Sequence, residues 1–355
     1  MTKAKQIPKE PDAKASERPQ YSVGIVNYRT YDDVRRCIES VKRQSHRPVR
    51  IVVIDADGEA VERGRLHDAF PEVEIEARPN LGFAAGANRA LARLHAQGPQ
   101  PAFTLLLNPD VQLANDYAER MLERLCALPT VGLASGKLLR PGEAVVDSAG
   151  IILPPNRRPR DRGSGEADFG QYNRDARVFA ASGAVLMLRT EALRDLEVDG
   201  EIFDEDFFMY HEDTDLSWRA RKLGWQAAYI HTACAIHNRR WRPSHRFSIA
   251  PHVRRHSFKN HYLQIIKNDD WRDFARDLPV ILAWEIVRLG YALVRDRAML
   301  PAYLEVARLV PRALRKRAII HERARELARE PARSEQQDRR QQLVSPITRA
   351  WSQRS

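Results

Sequence analysis

Carboxylates and aromatic side chains are crowded together in the segment FDEDFFMYHEDTD, which runs from Phe203 to Asp215. A carboxyl group held against apolar surface is desolvated, and desolvation raises its pKa unless a cation or a hydrogen bond compensates. Such a carboxyl is suited to take a proton from a substrate. The segment therefore predicts a poised general base. The candidates are Glu212, Asp213 and Asp215, although Asp213 could also be a first-turn helix acid favoured by the helix dipole.

Polar residues also stand where strand-like segments stop. The segments YSVGIVNY, VRIVVIDADG and FTLLLNPDV are rich in apolar and β-branched residues, and each carries Asn or Asp at its end. In a parallel α/β sheet, ligands bind beyond the carboxyl ends of the strands. The residues expected along that rim are Asn27, Asp55, Asp57, Asn108 and Asp110. For Asp110 a second interpretation stays open, because it could cap a helix that begins near Asn115.

Strands and helices alternate through the sequence. Apolar residues recur at helical spacing between the first two strands, Val73 and Ile75 mark a third strand, and a Gly/Ala-rich helix precedes FTLLLNPDV. Later, a strand leads to a helix start at Thr190, a helix from Thr214 ends at Gly224, and WQAAYIH is a strand leading toward His237. This alternation predicts an α/β fold with a largely parallel, doubly wound sheet.

Composition limits the class of protein. A chain of 355 residues with 43% hydrophobic content can bury one large α/β domain with appendages. The three cysteines are far apart, which suits a reducing compartment and argues against a disulfide framework or a thiolate zinc site. Neither GxGxxG nor GxxxxGK[ST] occurs, so dinucleotide and P-loop interpretations are weak.

The formal net charge is +11, and the excess lies late in the chain. The stretch from Asn238 to His261 has no acidic residue, and the basic run RALRKRAIIHERAR follows Pro311. We expect an anionic partner, which could be substrate phosphates, an acidic membrane surface or nucleic acid. No part of residues 21–238 resembles a nucleic-acid module, so nucleic acid is not expected. The segment from Pro154 to Asp175 is rich in Pro, Gly and charge and predicts a long flexible loop that could close over a substrate.

Seven motifs occur in a recognisable order: YSVGIVNY, VIDADG, RPNLGFAAGANRAL, LLLNPDV, ASGAVLMLR, FDEDFFMYHEDTDLSWRARKLGW and a later His237. Each is weak alone, but the ordered series resembles family 2 glycosyltransferases of the GT-A fold. It is most similar to bacterial rhamnosyltransferases that act on polyprenyl-diphosphate-linked acceptors. The resemblance covers Tyr21 to Asn238, and the basic, amphipathic C-terminal region also resembles that branch.

The resemblance implies a role for each matching residue. Asp55 and Asp57 would bind the base and ribose of a nucleotide sugar, and Asp110 and His237 would hold Mg²⁺ or Mn²⁺ on its diphosphate. The other residues expected to bind the nucleotide sugar are Asn27, Arg78, Asn80, Gly82, Gly86 and Asn108. Structural interpretations stay open for three of these residues, because His237 could be a structural histidine and Gly82 and Gly86 could be turn and helix-packing glycines.

The resemblance also implies an inverting reaction. Asp213 would be the catalytic base, and Glu212 would orient the acceptor or tune its neighbour. Many relatives present Asp-x-Asp where this chain has Asn108-Pro109-Asp110, so metal binding is expected to rest on one carboxylate, one imidazole, water and phosphate oxygens. The implied donor is dTDP-rhamnose. A UDP-sugar such as UDP-galactofuranose or a UDP-hexose is the alternative, and a catalytically silent scaffold is a third possibility.

The sequence divides into four predicted segments: residues 1–20 disordered, 21–240 a GT-A catalytic domain, 241–330 a basic helical region that associates with membrane or dimerises, and 331–355 a disordered tail. The segment from Leu278 to Val294 is too short and too interrupted by charge to predict a spanning helix. Glu285 and Arg288 fall on one helical face, which predicts a helix lying in the membrane interface with this narrow charged stripe near the headgroups. Packing of this helix on protein is the alternative. The expected location is the cytoplasmic face of the plasma membrane.

Overall fold

The computed structural model describes residues 19–96, 100–239 and 249–329. The predictions of disorder for residues 1–20 and 331–355 lie almost entirely outside this part of the chain. The strands are β1 Tyr21–Asn27, β2 Ile51–Ala56, β3 Glu74–Arg78, β4 Phe103–Leu107, β5 Val111–Leu113, β6 Val131–Leu139, β7 Val146–Ser148, β8 Ile151–Ile152, β9 Arg160–Asp161, β10 Ala176–Val178, β11 Val185–Arg189 and β12 Gln226–His237. The helices are α1 Tyr31–Lys42, α2 Ala60–Ala69, α3 Gly82–His95, α4 Tyr117–Cys126, α5 Thr190–Leu196, α6 Glu212–Lys222, α7 Pro251–Asn268, α8 Trp271–Val294 and α9 Pro301–Arg329.

One mixed sheet organises the fold, with the strand order β10-β12-β6-β11-β4-β1-β2-β3. The strands β1, β2, β3 and β4 are parallel, and β11 is antiparallel to both β4 and β6. Helices cover both faces, because one apolar cluster includes α1 and α4 and a second includes α3, α5 and α6. The prediction of a largely parallel α/β sheet with flanking helices is confirmed. Antiparallel pairing of β5, β7, β10 and β11 gives the sheet its mixed character.

The register of the parallel strands builds the predicted rim. Asn27 is aligned with Asp55, and Ile25 is aligned with Leu107, so β1, β2 and β4 all end at one edge. Strand β4 stops at Leu107, one residue before Asn108. The short β5 then pairs antiparallel with the end of β12, where His237 is aligned with Val111. This pairing brings His237 next to the segment that carries Asp110.

The C-terminal helices are part of the same compact structure. Helix α7 packs against α6, and α9 packs against both α6 and α7. Two small apolar clusters join them, one around Phe258 and Met299 and one that includes Phe207 and Leu263. The domain boundary at residue 240 stays a prediction, but residues on both sides of it share a core.

Two predictions of local structure are wrong. The segment 154–175 is not a free loop: it contributes β9, which pairs with β8, and buried Arg157 bonds to Asp269 and Asp277 with shortest distances of 2.7 and 2.6 Å. These partners are more than 100 residues away, so local composition could not indicate them. The charged stripe of α8 is also placed wrongly, because Glu285 and Arg288 face α7 and not the outside. No helix in the described part of the chain is long and apolar enough to cross a membrane.

Candidate active site

A cavity of about 1120 Å³ opens beside the carboxyl ends of β1 and β4. It brings together residues from widely separated parts of the sequence. The predicted site residues in its lining are Asn80, Gly82, Asn108, Asp110, Glu212, Asp213 and His237. The rim, the acid-rich segment and the end of β12 therefore share one space, which is large enough for a nucleotide-sized ligand.

The Asn27–Asp55 pair lies behind this lining. The Asn27 amide donates a hydrogen bond of 2.9 Å to Asp55 Oδ1, and the Tyr31 hydroxyl donates to the same carboxylate. Asn27 also accepts from the backbone and hydroxyl of Thr30. Both residues are fully buried, so in this structure they stabilise the strand ends and do not line the cavity.

Asp57 and Arg78 lie at the outer edge of the rim. Asp57 is exposed and has a positive φ of 47°, and its backbone amide donates to the carbonyl of Arg78. The Arg78 side chain pairs with Glu76 on its own strand and does not line the cavity. The structure thus places these two residues next to each other but does not bring the guanidinium into the site.

The two predicted site glycines are required by close packing. Gly82 has φ of 93°, and a Cβ there would lie 2.3 Å from the carbonyl oxygen of Phe208. A Cβ at Gly86 would lie 2.6 Å from Val26 on β1. Gly82 therefore lets the turn before α3 approach the acid-rich segment and also lines the cavity. Gly86 is a helix-packing glycine, which was the alternative interpretation.

Asp110 and His237 face each other across the cavity wall. His237 Nε2 lies 3.4 Å from Asp110 Oδ1, and His237 Nδ1 lies 2.7 Å from Asp147 Oδ2. Burial opposes protonation of His237, but its contacts with Asp110 and Asp147 outweigh burial and raise its pKa to about 9. Asp110 is not a helix cap, because the residue that precedes α4 is Asp116. The capping interpretation is therefore wrong.

The Asp110–His237 pair has the geometry of two adjacent metal ligands. Two atoms bound side by side to an octahedral ion at roughly 2.1 Å lie about 3 Å apart, close to the observed separation. Asp110 Oδ1 is buried, and apart from the long contact with His237 Nε2 it accepts no hydrogen bond, which leaves it available to a cation. In the described part of the chain, no three His, Cys, Asp or Glu side chains form a complete cage. A cation here would depend on water and phosphate oxygens for its other ligands.

Asp213 is a carboxylate held in place by backbone amides. Its Oδ2 accepts from the amide of Gly183 at 2.8 Å, and its Oδ1 accepts from the amide of Thr214 at 2.7 Å. A Cβ at position 183 would lie 3.0 Å from Asp213, so the glycine permits this approach. Burial raises the pKa of Asp213 and these bonds lower it, with a net upward shift. Asp213 also lies in the first turn of α6, so it is both a first-turn helix acid and part of the cavity lining.

Glu212 differs from its neighbour in having an unpartnered oxygen. Its Oε2 is buried and accepts no hydrogen bond in the structure. Burial, with a further contribution from the charge of Asp213, raises its pKa to about 8. Burial therefore favours the protonated form of Glu212, whereas Asp213 is the better anchored of the two carboxyl groups.

The backbone before α6 is strained. Phe208, Tyr210 and His211 all have φ between 63° and 71°, a region that bulky residues rarely adopt. Asn260 on α7 is fully buried, and its Nδ2 lies 2.7 to 2.9 Å from the carbonyl oxygens of Phe207, Met209 and Tyr210. The C-terminal region thus holds the loop that delivers Glu212 and Asp213 into the cavity.

Buried lysines neutralise the acid-rich segment. Lys267 on α7 contacts Asp204 and Asp215, and Lys316 on α9 contacts Asp204, Glu201 and Asp206. Both lysines are at most 2% exposed in their side chains. Part of the basic excess of the C-terminal region is therefore paired within the molecule, and this part does not require an external anion.

Sequence reasoning missed four residues that shape the site: Asp147, Asp161, Arg239 and Asn260. Arg239 lies between Asp147 and Asp161, with its nearest separations 3.4 and 2.9 Å. The contact between Asp147 and His237 spans 90 positions, and those of Asn260 span 50 to 53. No local pattern marks such residues. The acid-free stretch from Asn238 to His261 contains two of them and was the nearest available signal.

Comparison with known proteins agrees with this geometry. Residues 22–189 match the model of the family described as Glycosyl transferase family 2. The chain is therefore similar to family 2 glycosyltransferases over residues 22–189, just under half of its length. Over 248 residues it is 28% identical to the N-acetylglucosaminyl-diphospho-decaprenol L-rhamnosyltransferase of Mycobacterium tuberculosis, covering 61% of this chain and 75% of that protein.

Solved structures establish the fold as GT-A. Two similar structures are those of GalNAc-T7 with UDP, GalNAc and Mn²⁺, and of Staphylococcus aureus TarS residues 1–349 with UDP. The first has a TM-score of 0.54 and 14% identity over 73% of this chain and 50% of that one. The second has a TM-score of 0.50 and 12% identity over 86% and 91%. At such identities the likeness concerns the fold alone.

Proposed function

We propose that this protein is an inverting, metal-dependent glycosyltransferase that transfers L-rhamnose from dTDP-rhamnose to a polyprenyl-diphosphate-linked saccharide. The observation that carries the proposal is the shared cavity. It holds a backbone-anchored carboxylate, Asp213, together with the Asp110–His237 pair. A base and a cation site in one cavity suit the activation of a hydroxyl against a phosphate leaving group.

The reaction needs one proton transfer and one displacement. The acceptor hydroxyl gives its proton to Asp213 as its oxygen bonds to the anomeric carbon of the donor. The bond from that carbon to the diphosphate oxygen breaks at the same time, and the nucleoside diphosphate leaves with the electron pair. Attack opposite the leaving group inverts the configuration, and no covalent enzyme intermediate is required. The amides of Gly183 and Thr214 keep the carboxylate oriented throughout.

Asp110 and His237 are the proposed protein ligands of Mg²⁺ or Mn²⁺. A bound cation would supply charge neutralisation at the departing diphosphate. Asp147 accepts from His237 Nδ1 and so keeps Nε2 directed at Asp110. For the nucleotide sugar, Asn80, Gly82 and Asn108 are the proposed contacts in the cavity lining, and Asn27, Asp55 and Gly86 would support the wall from behind. Asp57 and Arg78, at the outer edge of the rim, stay predicted binding residues.

The transferred sugar and the acceptor are proposed by analogy with the Mycobacterium tuberculosis relative. That relative is a diphospho-decaprenol L-rhamnosyltransferase, and the alignment with it covers most of its length. A polyprenyl-linked acceptor stays in a bilayer, so we also propose that the protein works as a peripheral protein at the cytoplasmic face of the plasma membrane. The homodimer stays a prediction.

A donor screen tests the proposal. Purified protein is given dTDP-rhamnose, UDP-galactofuranose or a UDP-hexose with Mg²⁺ or Mn²⁺ and a polyprenyl-diphosphate-linked N-acetylglucosamine, and nucleotide release and lipid product are measured. We expect turnover of dTDP-rhamnose that stops on chelation. Turnover of a UDP-sugar alone would contradict the rhamnosyl assignment but keep the mechanism. Silence with every donor would favour a catalytically inactive scaffold.

A further inference from the structure

Helix α8 presents a continuous apolar surface to the outside. Between Leu278 and Val294 every exposed residue is uncharged. The large apolar side chains on this outward face include Leu282, Ile286, Val287, Leu289, Leu293 and Val294, which are 43% to 78% exposed. A patch of this extent on one helix marks an interaction surface.

The charged residues of the same stretch point inward. Glu285 accepts from the hydroxyl of Tyr262 on α7, and the Arg288 guanidinium lies 3.9 Å from the centre of the Phe258 ring. Arg288 also donates to the carbonyl of Phe258 at 3.1 Å. Helix α8 therefore has its polar contacts with protein already made, and its outward face is left for an apolar medium.

The outward face continues into the catalytic cavity. Trp284, Val287 and Tyr291 line the cavity on the α8 side, and Val287 and Tyr291 are also exposed. Arg158 lies over the Trp284 ring at 5.1 Å and belongs to the same lining, as do Arg160 and Arg254. An apolar entrance next to cationic groups has the chemistry of a site for an amphiphile with an anionic head.

The chemistry of the face favours a bilayer over a protein partner. A protein interface makes about one hydrogen bond per 100–200 Å². Among the exposed residues between Leu278 and Val294, Tyr291 is the one whose side chain has a polar group. The ends of the helix are different, with exposed Trp271, Arg272, Asp273 and Arg276 at one end and Arg295 at the other, so basic residues outnumber the acidic one. Aromatic and basic residues flanking an apolar helix face suit the headgroup region of an anionic membrane.

We propose that the outward face of α8 docks on an anionic lipid bilayer and holds the cavity entrance at the membrane surface. A lipid-linked acceptor would then bring its diphosphate past Trp284 and Arg158 while its hydrocarbon chain stays in the membrane. This position of the lipid-linked acceptor rests on the proposed function. The docking itself depends only on α8, because a helix with this apolar face and no spanning length lies in the interface.

The test uses Ile286→Glu and Val294→Glu in the full chain. These side chains are 73% and 78% exposed and do not line the cavity, so folding and the chemistry of the site are unaffected. The control is Val61→Glu on α2, where the side chain is 66% exposed. Cosedimentation with vesicles of phosphatidylethanolamine and phosphatidylglycerol is measured without substrates. Transfer is then compared between a polyprenyl acceptor in vesicles and a short-chain, water-soluble acceptor.

We expect the wild type and the Val61 variant to bind vesicles and each α8 variant to bind about tenfold more weakly or worse, since a charge replaces buried apolar surface. Transfer to the vesicle acceptor should fall in parallel, with transfer to the soluble acceptor within twofold of wild type. Equal vesicle binding by all proteins would overturn the docking surface. Dissociation of a dimer by the α8 variants, without vesicle binding by the wild type, would also overturn it and identify the face as a contact between copies. Vesicle binding without transfer to either acceptor would instead refute the proposed function and leave the docking intact.

Discussion

Two adjacent carboxyl groups, Glu212 and Asp213, have different environments, and their proposed roles rest on this difference. Asp213 receives two backbone amides, whereas Glu212 keeps a buried oxygen without a donor. A fixed carboxylate that lines the cavity is the better general base, because proton transfer requires a defined position. Burial raises the pKa of both carboxyl groups, and for Glu212, whose Oε2 accepts no hydrogen bond, it favours the neutral form. Glu212 is better suited to donate a hydrogen bond to the acceptor.

The pH dependence of stability tests the Glu212 environment. Burial first, and the charge of Asp213 second, raise its pKa to about 8, so the folded state favours the protonated form. Stability from this group is present at low pH and is lost as pH rises through about 8. We expect Glu212→Gln to raise the melting temperature relative to wild type at pH 9, with a smaller difference at pH 5.5. An identical offset at both values, or one shared by the exposed control Glu123→Gln, would contradict a buried carboxyl.

The Asp147–His237 contact makes a prediction about metal affinity. Replacing Asp147 by Asn removes the charged acceptor that orients His237, so Mn²⁺ affinity should fall by about 10- to 100-fold. Titration of bound Mn²⁺ by electron paramagnetic resonance measures it. Asp175→Asn is a matched control, since Asp175 contacts His231 at the same 2.7 Å outside the site. Equal loss in both variants, or loss in neither, would argue against Asp147 as the residue that positions the ligand.

At the scale of elements, α7 stabilises the strained loop that carries the base. Removing the Asn260 amide takes away two N–H donors that are shared among the carbonyls of Phe207, Met209 and Tyr210, and a buried carbonyl left unsatisfied costs about 1–3 kcal/mol. We therefore expect Asn260→Ala to lower both stability and kcat, because the loop between Phe207 and His211 relaxes. Urea unfolding and transfer assays measure the two effects.

Gln44→Ala provides the control for Asn260. Gln44 is a buried amide that bonds to the backbone of Ser40, Ala114 and Ala118, on a part of the fold that does not line the cavity. It should lower stability by a similar amount and leave the kcat of the remaining folded enzyme unchanged. Equal kcat losses in the two variants would show that Asn260 acts on the fold alone and has no particular effect on the loop.

Local patterns predicted the rim but not its supports. Asn27, Asp55 and Asn108 were placed on one edge because parallel strands bring their carboxyl ends together whatever the details of packing. The orientation of His237 by Asp147 and the support of the loop by Asn260 depend on contacts across 50 to 90 residues. Hydrophobic periodicity and the spacing of motifs along the sequence carry no information about such contacts. For the same reason Arg157 appeared to belong to a flexible loop.

At the scale of the whole molecule, charge is shared between regions that looked independent in sequence. The acid-rich segment predicted a base and the basic C-terminal region predicted an external anion, yet Lys267 and Lys316 pair with Asp204 inside the protein. Burial of such ions is costly unless every member is paired. The C-terminal helices thus supply the cations that pair with the acid-rich segment, and one of them, α8, also presents the outward apolar face.

Substitution of one buried lysine tests this dependence. Lys316→Met leaves three carboxylates without one of their cations and should lower the free energy of unfolding by about 3–5 kcal/mol. The neighbouring Arg315, whose side chain is 65% exposed and paired with Asp199, is the control. Arg315→Met should cost less than about 1 kcal/mol. Urea unfolding measures the free energy of both variants. Similar decreases in the two would contradict a buried ionic link between α9 and the acid-rich segment.

The most direct test of the central claim is the stereochemistry of transfer, measured together with the effect of Asp213→Asn. The protein is incubated with dTDP-rhamnose, Mn²⁺ and a soluble acceptor, and nuclear magnetic resonance determines the configuration at the anomeric carbon of the product. We predict inversion relative to the donor and a rate about 10²- to 10⁴-fold lower in Asp213→Asn. Retained configuration, or a variant as fast as wild type, would contradict a single displacement with Asp213 as base.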